Sequence, residues 1–281
     1  MGKSTLLNRM LGLKLGIVSR KPQTTRRQVR GIVNPEGGQV VLVDTPGLPG
    51  VSSAVNESLE REALRGVENS DVVLAITDPM GRKRKEEEEK MLRIVAGSSR
   101  PALLALNKID LISADDTLPL IARYQETGLF REIVPVSAVR GTNIDRLTAA
   151  LVASVPAGPP LYPRDIVSDQ PERDFFAEMV REKIFRSVHQ ELPYATAVVV
   201  DSVEEDRKTG FYRVAATIFV ERQSQKGILI GEGGQVLKKI GMEARIDMER
   251  LTGGKVYLAL WVKVRKNWTR DPQSLREFGF D

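Results

Sequence analysis

The sequence predicts an α/β fold with a doubly wound, mostly parallel sheet, followed by a small α+β domain. In residues 1–154, short and nearly continuous apolar runs alternate with helical patterns, which is typical of strands covered on both faces of a parallel sheet. In residues 166–281 the predicted order is helix, strand, strand, helix, helix, strand. The proline-rich stretch 155–165 cannot continue a helix, so we predict a linker between two domains there.

The first half contains four strand candidates. The last three are apolar along nearly their whole length, which indicates burial in a parallel sheet. The first is joined to an earlier strand-like run by the turn sequence Asn-Pro-Glu-Gly-Gly, so an antiparallel hairpin is predicted there. The candidates are residues 38–44, 71–77, 101–107 and 132–138.

The second half begins with a helix over 172–190. Its apolar residues repeat at helical spacing, so we predict that the helix is amphipathic. Two strands follow, then two helical segments joined by a glycine-rich loop, then a third strand. The apolar residues of the first helix are Phe175, Phe176, Met179, Val180, Phe185 and Val188.

Composition excludes several classes of protein. The 281 residues are 41% apolar and 28% charged, which is typical of a globular protein large enough for two domains. No apolar run reaches the roughly 18 residues of a membrane span, and no secretory signal is visible. There are no cysteines, which excludes disulfides and zinc–thiolate sites. The net charge of +5 is compatible with an RNA or phosphate partner.

The sequence begins with residues typical of a phosphate-binding loop. Gly2, Lys3, Ser4 and Thr5 open a predicted helix, whose first amides have no partner within the helix and can bind an anion. Lys3 would reach the β- and γ-phosphates, and the Ser4 hydroxyl would bind Mg²⁺. Thr5 would lie near the α-phosphate.

Two further segments fit the same site. Asp44, Thr45, Pro46 and Gly47 directly follow a strand. We expect Asp44 in the second shell of Mg²⁺ and the Gly47 amide on the γ-phosphate.

The segment Gln-Thr-Thr-Arg-Arg at 23–27 lies in the loop after the first helix, where Thr24 or Thr25 is placed to complete the Mg²⁺ shell. We take Thr25 as this metal ligand, beside Ser4. Together with Lys3 and Gly47, Thr25 would stabilise charge on the transferred phosphoryl group.

Asn-Lys-Ile-Asp at 107–110 and Ser-Ala at 137–138 end two strands and predict selection of guanine. The Asp110 carboxylate can accept both the N1–H and the N2–H of guanine, whereas adenine has the opposite polarity at N1. Asn107 would brace the site and reach N7, Lys108 would lie over the base, and the Ala138 amide would donate to O6. Ser137 belongs to the same set. A site built from these groups penalises the wrong base, because its polar groups would go unpaired.

The glycine-rich loop of the second half predicts RNA binding. KH domains hold a short run of single-stranded RNA with a Gly-x-x-Gly loop, where glycine lets the phosphates approach the main chain. A carboxylate at Glu232 is unusual there because it repels phosphate. The residues expected to contact RNA are Ile228, Ile230, Gly231, Glu232, Gly233, Gly234, Lys238 and Lys239. The basic stretch with Lys263, Arg265, Lys266 and Trp268 either touches further RNA or is an ordinary strand end.

Taken together, these motifs resemble the Era family of bacterial P-loop GTPases. The resemblance implies a P-loop GTPase domain followed by a type II KH domain, hydrolysis of GTP to GDP and phosphate, and Mg²⁺ as cofactor. It also implies binding to the 3′ end of 16S rRNA and a role in 30S subunit assembly. The matching stretches include "GKSTLLNRMLG", "SRKPQTTRR", "VDTPGL", "NKID", "VSA", "REKIF", "ELPYA", "VERQSQKGILIG", "GGQVLKKIG" and "LALWVKVRKNW".

The same resemblance implies a cytoplasmic protein that can associate peripherally with the inner face of the cell membrane, although no amphipathic anchor in the sequence requires this. We expect a monomer and no DNA partner. Leu48 occupies the place where the best-known small GTPases have a water-orienting glutamine, so we assign no general base and expect slow intrinsic turnover. We interpret His189, the one histidine, as structural.

The chain departs from the family at its start. Family members have a strand and Gly-x-Pro-Asn-Val before Gly-Lys-Ser-Thr, whereas Met1 stands where that valine would be. If the chain is made as written, we expect weak GTP binding and poor stability of the first half, because the sheet loses its first strand and the phosphates lose amide donors.

Two other interpretations remain open at this point. One is an RNA-binding KH protein with an impaired nucleotide domain that does not hydrolyse GTP. The other is a GTPase that regulates another process, such as tRNA modification or a membrane process, and uses its small domain to dock proteins. We favour the assembly GTPase because the guanine and switch motifs are intact.

Overall fold

The structure, a computed structural model, describes residues 1–13, 15, 29–45, 54–79, 85–188 and 192–278. These residues form two compact units. The first contains the described residues up to Asp169, and the second contains those from Gln170 onward. Among the described residues, no helix is long and apolar enough to cross a membrane.

The first unit alternates helices and strands as predicted. Its core is a parallel sheet with the strand order β3-β4-β5, and β1 and β2 form an antiparallel pair. The elements, in chain order, are α1 (Lys3–Leu11), β1 (Val29–Val33), β2 (Val40–Asp44), α2 (Ala54–Glu68), β3 (Val73–Thr77), α3 (Lys85–Gly97), β4 (Ala102–Leu106), α4 (Ala114–Gln125), β5 (Glu132–Pro135) and α5 (Ile144–Val152).

Strand β4 shows why the strands of this sheet are continuous apolar runs in the sequence. All five of its residues are buried, and alternate side chains enter different clusters. Leu103 packs with residues of α1 and α5 on one face, and Leu104 packs with residues of α3 and α4 on the other. Both faces of the sheet are therefore covered by helices, which confirms the doubly wound α/β prediction.

The proline-rich stretch predicted as a linker lies against the β1–β2 hairpin. The Gln39 side-chain oxygen accepts hydrogen bonds from the amides of Leu161 and Tyr162, both at 2.9 Å. Further along, the Ile32 amide donates to the Val167 carbonyl at 2.9 Å. The end of this stretch thus belongs with the first unit, and the change of unit comes at Asp169.

The second unit has the predicted order of elements and one further helix. Strands β6 and β7 are antiparallel, β7 and β8 are parallel, and β7 lies in the middle of the sheet. Helices α6, α7 and α8 cover one face of this sheet. The elements are α6 (Glu172–Ser187), β6 (Thr196–Asp206), β7 (Phe211–Val220), α7 (Gln223–Ile230), α8 (Gln235–Thr252), β8 (Val256–Val264) and α9 (Pro272–Glu277).

Helix α6 is not the simple amphipathic helix that its apolar spacing predicts. It is buried on nearly all sides from Phe175 to Phe185, and three successive charged residues, 181–183, are among the buried ones. The Lys183 ammonium is paired with the Asp247 carboxylate of α8, and the Arg181 guanidinium is 2.6 Å from the Glu178 carboxylate. These ion pairs allow charged side chains to be buried.

Candidate functional site

The start of α1 and the end of β2 form the phosphate side of the site. The Ser4 hydroxyl donates a hydrogen bond to the Asp44 carboxylate at 2.7 Å, and both side chains are buried. These are the residues predicted to act together at Mg²⁺. A hydroxyl and a carboxylate are oxygen ligands of the kind that Mg²⁺ prefers, so the pair fits the ion.

Gly2 makes the turn into α1. Its φ of 85° is in the left-handed region, and a Cβ at this position would lie 2.7 Å from the Asn107 side-chain nitrogen. The first hydrogen bond of the helix runs from the Leu6 amide to the Gly2 carbonyl. The amides of residues 3–5 therefore have no acceptor within the helix and can receive a phosphate. Lys3 and Thr5 are half-buried at this end.

Asn107 connects three loops at the guanine side of the site. It directly follows β4 and is 2% exposed. Its side-chain oxygen accepts hydrogen bonds from the Lys108 amide at 2.8 Å and the Ala138 amide at 3.0 Å. Its side-chain nitrogen donates to the Met1 carbonyl at 3.0 Å. This geometry suits the bracing role predicted for Asn107. The Ala138 amide, which we predicted to donate to guanine O6, donates to Asn107 in this structure.

Ser137 stands behind Asp110. It is completely buried, and its hydroxyl donates to the Asp110 carboxylate at 2.6 Å. The Ser137 oxygen in turn accepts the Arg140 amide at 3.1 Å. Ser137 was predicted to contact the nucleotide, whereas this geometry makes it a positioning residue for Asp110.

Arg9, which no sequence motif indicated, joins α1 to the loop after β5. Its Nε donates to the Ala138 carbonyl at 2.9 Å, and an Nη donates to the Val139 carbonyl. The helix predicted to present amides to the phosphates thus also holds the loop predicted to face the base. No local sequence pattern indicates this, because the partners are 129 residues apart.

Asp78, also missed, holds the lysine of the guanine motif. It directly follows β3, is 5% exposed, and lies 2.6 Å from the Lys108 ammonium. Burial raises the pKa of the Asp78 carboxyl, but hydrogen bonding and positive charge from Lys108 and the Met1 amino group outweigh burial, so the pKa is lowered. The position of Asp78 directly after a strand could have indicated this role, because the carboxyl ends of parallel strands meet at one edge of the sheet.

Several predicted residues lie outside the described part of the chain: Thr24, Thr25, Pro46, Gly47, Leu48 and His189. Thr45 is described and follows β2 as a half-buried residue.

The glycine-rich loop of the second unit joins α7 to α8. Gly231 has φ 74° and ψ 174°, a conformation essentially restricted to glycine. A Cβ there would lie 2.5 Å from Cγ2 of Val236. Gly233 and Gly234 also have positive φ, but a Cβ on either would meet open space. Only glycine at 231 therefore lets the chain turn this closely into α8.

The side chains predicted beside this loop differ in access. Ile228 is 58% exposed, whereas Ile230 is half-buried against the core of the unit. Glu232, Lys238 and Lys239 are exposed. Of this set, Ile228 and the two lysines are the side chains best placed to meet a ligand.

Trp268 of the basic stretch is not available to RNA. It is completely buried, and its indole N–H donates to the Ala195 carbonyl at 3.2 Å. Arg265 is paired with Glu277 at 2.6 Å. The interpretation of Trp268 as an RNA contact is therefore wrong, because the chain folds back and packs the ring into the unit.

Comparisons with known proteins agree with this arrangement. Residues 1–108 match the family described as 50S ribosome-binding GTPase, and residues 191–269 match the KH domain family. The chain is 47% identical to GTPase Era of Geotalea uraniireducens, over 100% of this chain and 94% of the relative. It is 41% identical to GTPase Era of Heliobacterium modesticaldum, over 100% and 93%.

Two solved structures are also similar over both units. One is an Era variant from Aquifex aeolicus bound to GDP and AlF4⁻, with a TM-score of 0.93, 37% identity and coverage of 99% of this chain and 95% of that chain. The other is Era in complex with MgGDPNP and nucleotides 1506–1542 of 16S ribosomal RNA, with a TM-score of 0.93, 37% identity and coverage of 99% and 94%. The chain therefore belongs to the Era family of GTPases, with a GTP-hydrolysing domain followed by a KH domain.

Proposed function

We propose that this protein uses GTP binding and hydrolysis to control its hold on the 3′ end of 16S rRNA, and that it thereby assists 30S subunit assembly and rRNA maturation. Residues 1–154 form the nucleotide domain of this proposal, residues 155–169 pack against it, and residues 170–281 form the RNA-binding domain. The observation that carries it is the convergence of the Ser4–Asp44 pair and the Asn107 cluster at the two sides of Gly2. In this proposal the protein is a cytoplasmic monomer, and any contact with the membrane is peripheral.

On the phosphate side, the first amides of α1 would bind the phosphate oxygens and Lys3 would neutralise their charge. Ser4 would bind Mg²⁺ directly, with Thr25, while Asp44 holds the ion from the second shell. When bound, Mg²⁺ would neutralise charge on the β- and γ-phosphates. The 2.7 Å hydrogen bond between Ser4 and Asp44 supports this division, because it keeps both oxygen groups at the same point.

For hydrolysis, water attacks the γ-phosphate and GDP leaves. Lys3 and the backbone amide of Gly47 would stabilise the charge on the transferred group. Leu48 cannot orient a water by hydrogen bonding, so we assign no general base and propose slow intrinsic turnover.

Guanine selection would rest on Asp110. Ser137 occupies one oxygen of its carboxylate and fixes the plane of the group. The carboxylate would then accept N1–H and N2–H of guanine, and adenine would leave it unpaired. Lys108, held by Asp78 at 2.6 Å, would lie over the base.

On the RNA side, the turn at Gly231 would bring phosphates close to the main chain at the start of α8, where amides are free to donate. Lys238 and Lys239 would add positive charge, and Ile228 would pack against a base. The solved Era complex with a 16S rRNA fragment, 37% identical to this chain, supports this assignment.

Phosphate release from GTP, measured with and without an RNA of the 16S 3′-end sequence, tests the proposal. We expect slow turnover that changes when the RNA binds. Gly231→Asp with Gly234→Asp should abolish the RNA effect and leave basal turnover intact. RNA binding without any GTP turnover would instead support an RNA-binding protein with an impaired nucleotide domain.

A further inference from the structure

The sheet face of the second unit that points away from the helices has two exposed aromatic rings. Side chains alternate along β8, so Leu258, Leu260 and Val262 pack into the core under the helices. Tyr257 and Trp261 point the other way and are 61% and 50% exposed. Large aromatic side chains are among the groups that gain most from burial, so two of them exposed on one strand indicate a contact surface.

Basic side chains accompany the two rings. Arg213 of β7 lies opposite Tyr257 in the register, and Lys263 follows Trp261 on the same face of β8. They are the only charged residues within β7 and β8, and both are exposed. We call Arg213, Tyr257, Trp261 and Lys263 the outer strip.

Two neighbouring features limit the outer strip. On one side, β6 presents acidic residues: Glu204 and Asp206 lie in register with Arg213 and Phe211, and the Asp201 carboxylate accepts a hydrogen bond from Thr217, the register partner of Trp261. A polyanion would therefore be confined to the β8 side of the sheet, at Trp261 and Lys263. At one end, Phe219 of β7 packs against Phe278 with ring centroids 4.8 Å apart. Phe278 therefore covers Phe219, while Tyr257 and Trp261 stay exposed.

Single-stranded RNA fits this combination. Every base has a π-face that can stack on an aromatic ring, and lysine or arginine beside the rings neutralises the backbone. The two rings are four residues apart, which is about 13 Å along a strand, so each can take a different base. A protein partner could also bury the two rings. Only a negatively charged partner such as RNA also accounts for the positive charge of both charged residues in β7 and β8.

The outer strip is also reached directly from the Gly-x-x-Gly loop. Strand β8 is at the edge of the sheet, and α8, which begins at that loop, packs on its inner face. A Cβ on Gly241 would lie 3.5 Å from Cδ1 of Leu260 in β8. RNA that leaves the loop along α8 therefore needs only to pass β8, the last strand of the sheet, to reach Trp261.

We propose that the outer strip is a second contact for single-stranded RNA, in which Tyr257 and Trp261 stack bases while Lys263 neutralises phosphate. This rests on the proposed RNA binding at the Gly-x-x-Gly loop and extends the length of RNA that the second unit reads.

The protein has an internal probe for this contact. It has two tryptophans, of which Trp268 is completely buried and Trp261 is half exposed. Tryptophan emission of the full chain is followed during titration with two RNAs from the 16S 3′ end. One is a pentanucleotide long enough to bind at the Gly-x-x-Gly loop. The other contains the same five nucleotides and eight more at each end. We expect the longer RNA to bind at least fivefold more tightly and to quench emission, whereas the pentanucleotide binds without quenching.

Substitutions identify the source of the change. Trp261→Leu should remove the quenching and reduce the affinity for the longer RNA toward that for the pentanucleotide, with pentanucleotide and GDP affinities unchanged. Tyr257→Leu should reduce the affinity for the longer RNA and leave the affinity for the pentanucleotide unchanged. Lys263→Gln should reduce the salt dependence of binding to the longer RNA. Lys208→Gln, which removes a positive charge in the exposed β6–β7 turn, is the control and should leave that salt dependence unchanged.

Two results would overturn the proposal. Equal affinity for both RNAs with unchanged emission would show that RNA does not occupy the outer strip, which would leave it for a protein, while RNA binding at the loop would stand. Failure of both RNAs to bind would remove the proposed RNA function and this inference with it.

Discussion

Replacing Arg9 by alanine tests whether α1 positions the loop that faces guanine. The Arg9 guanidinium donates to two successive carbonyls, Ala138 at 2.9 Å and Val139. These bonds fix the peptide groups on either side of Val139, the first of which directly follows Ala138. The loss should therefore appear at the base, although Arg9 lies on the helix that we propose binds phosphate.

The expected magnitude follows from the two hydrogen bonds. A hydrogen bond from a charged group contributes about 1.5–3 kcal/mol. Arg9 is partly exposed, so solvent screens its charge and we take the lower value for the pair. About 1.5 kcal/mol corresponds to roughly a tenfold loss of GDP affinity. Arg9→Lys, which can keep one of the two bonds, should lose less.

Calorimetric titration with GDP and with 6-thio-GDP separates positioning from general damage. The thio analogue keeps N1–H and N2–H and replaces only O6 by sulfur, a weak acceptor. The wild-type protein should prefer GDP, because on binding the Ala138 amide would turn from Asn107 to O6 of guanine, and Arg9→Ala should reduce that preference. An equal loss of affinity for both ligands would refute the positioning role and leave Arg9 as a purely structural residue.

Three further predictions concern the same two units. Ser137→Ala should weaken GDP binding several-fold and leave the affinity for inorganic phosphate analogues unchanged, because Asp110 loses the hydroxyl that fixes it; an unchanged GDP affinity would contradict this. Asp78→Asn should speed GDP release several-fold at pH 7. Because the pKa of Asp78 is lowered, its pairing with Lys108 is complete above the ordinary value of 3.8 and is lost as the pH falls below it. The melting temperature of the wild-type protein should therefore decrease below that pH, and the decrease should be smaller in the variant. Gly231→Ala should abolish RNA binding by forcing the loop open, whereas Gly233→Ala, where a Cβ meets open space, should retain most of it; filter binding that ranks the two variants the other way would count against the loop geometry.

The fold and much of the nucleotide site were predictable because they depend on local patterns. Continuous apolar runs identified the buried strands, and polar residues at the ends of those strands had to meet at one edge of the sheet. Asn107 and Asp110 were predicted from the motif Asn-Lys-Ile-Asp at a strand end, and the structure places both at this edge. Asp78 follows β3 in the same manner and could have been found by the same rule, since its role depends on the strand end and on Lys108.

Other features depend on contacts between distant parts of the chain. Arg9 shows no local sign of its partners in the loop after β5. The apolar spacing of α6 predicted one buried face, but pairing of Lys183 with Asp247 allows the charged side of the helix to be buried as well. Trp268 lies in a basic stretch in the sequence, yet its burial depends on a hydrogen bond to Ala195, which is 73 residues away.

The most direct measurement compares the affinities of wild-type protein and Asp110→Asn for GDP, ADP and XDP. Xanthine has a carbonyl where guanine has its 2-amino group, so a side-chain amide can donate where the carboxylate accepted. We predict that the wild-type protein prefers GDP over both other nucleotides and that the variant prefers XDP. Equal binding of ADP and GDP by the wild-type protein, or a variant that still prefers GDP, would contradict recognition of guanine by Asp110.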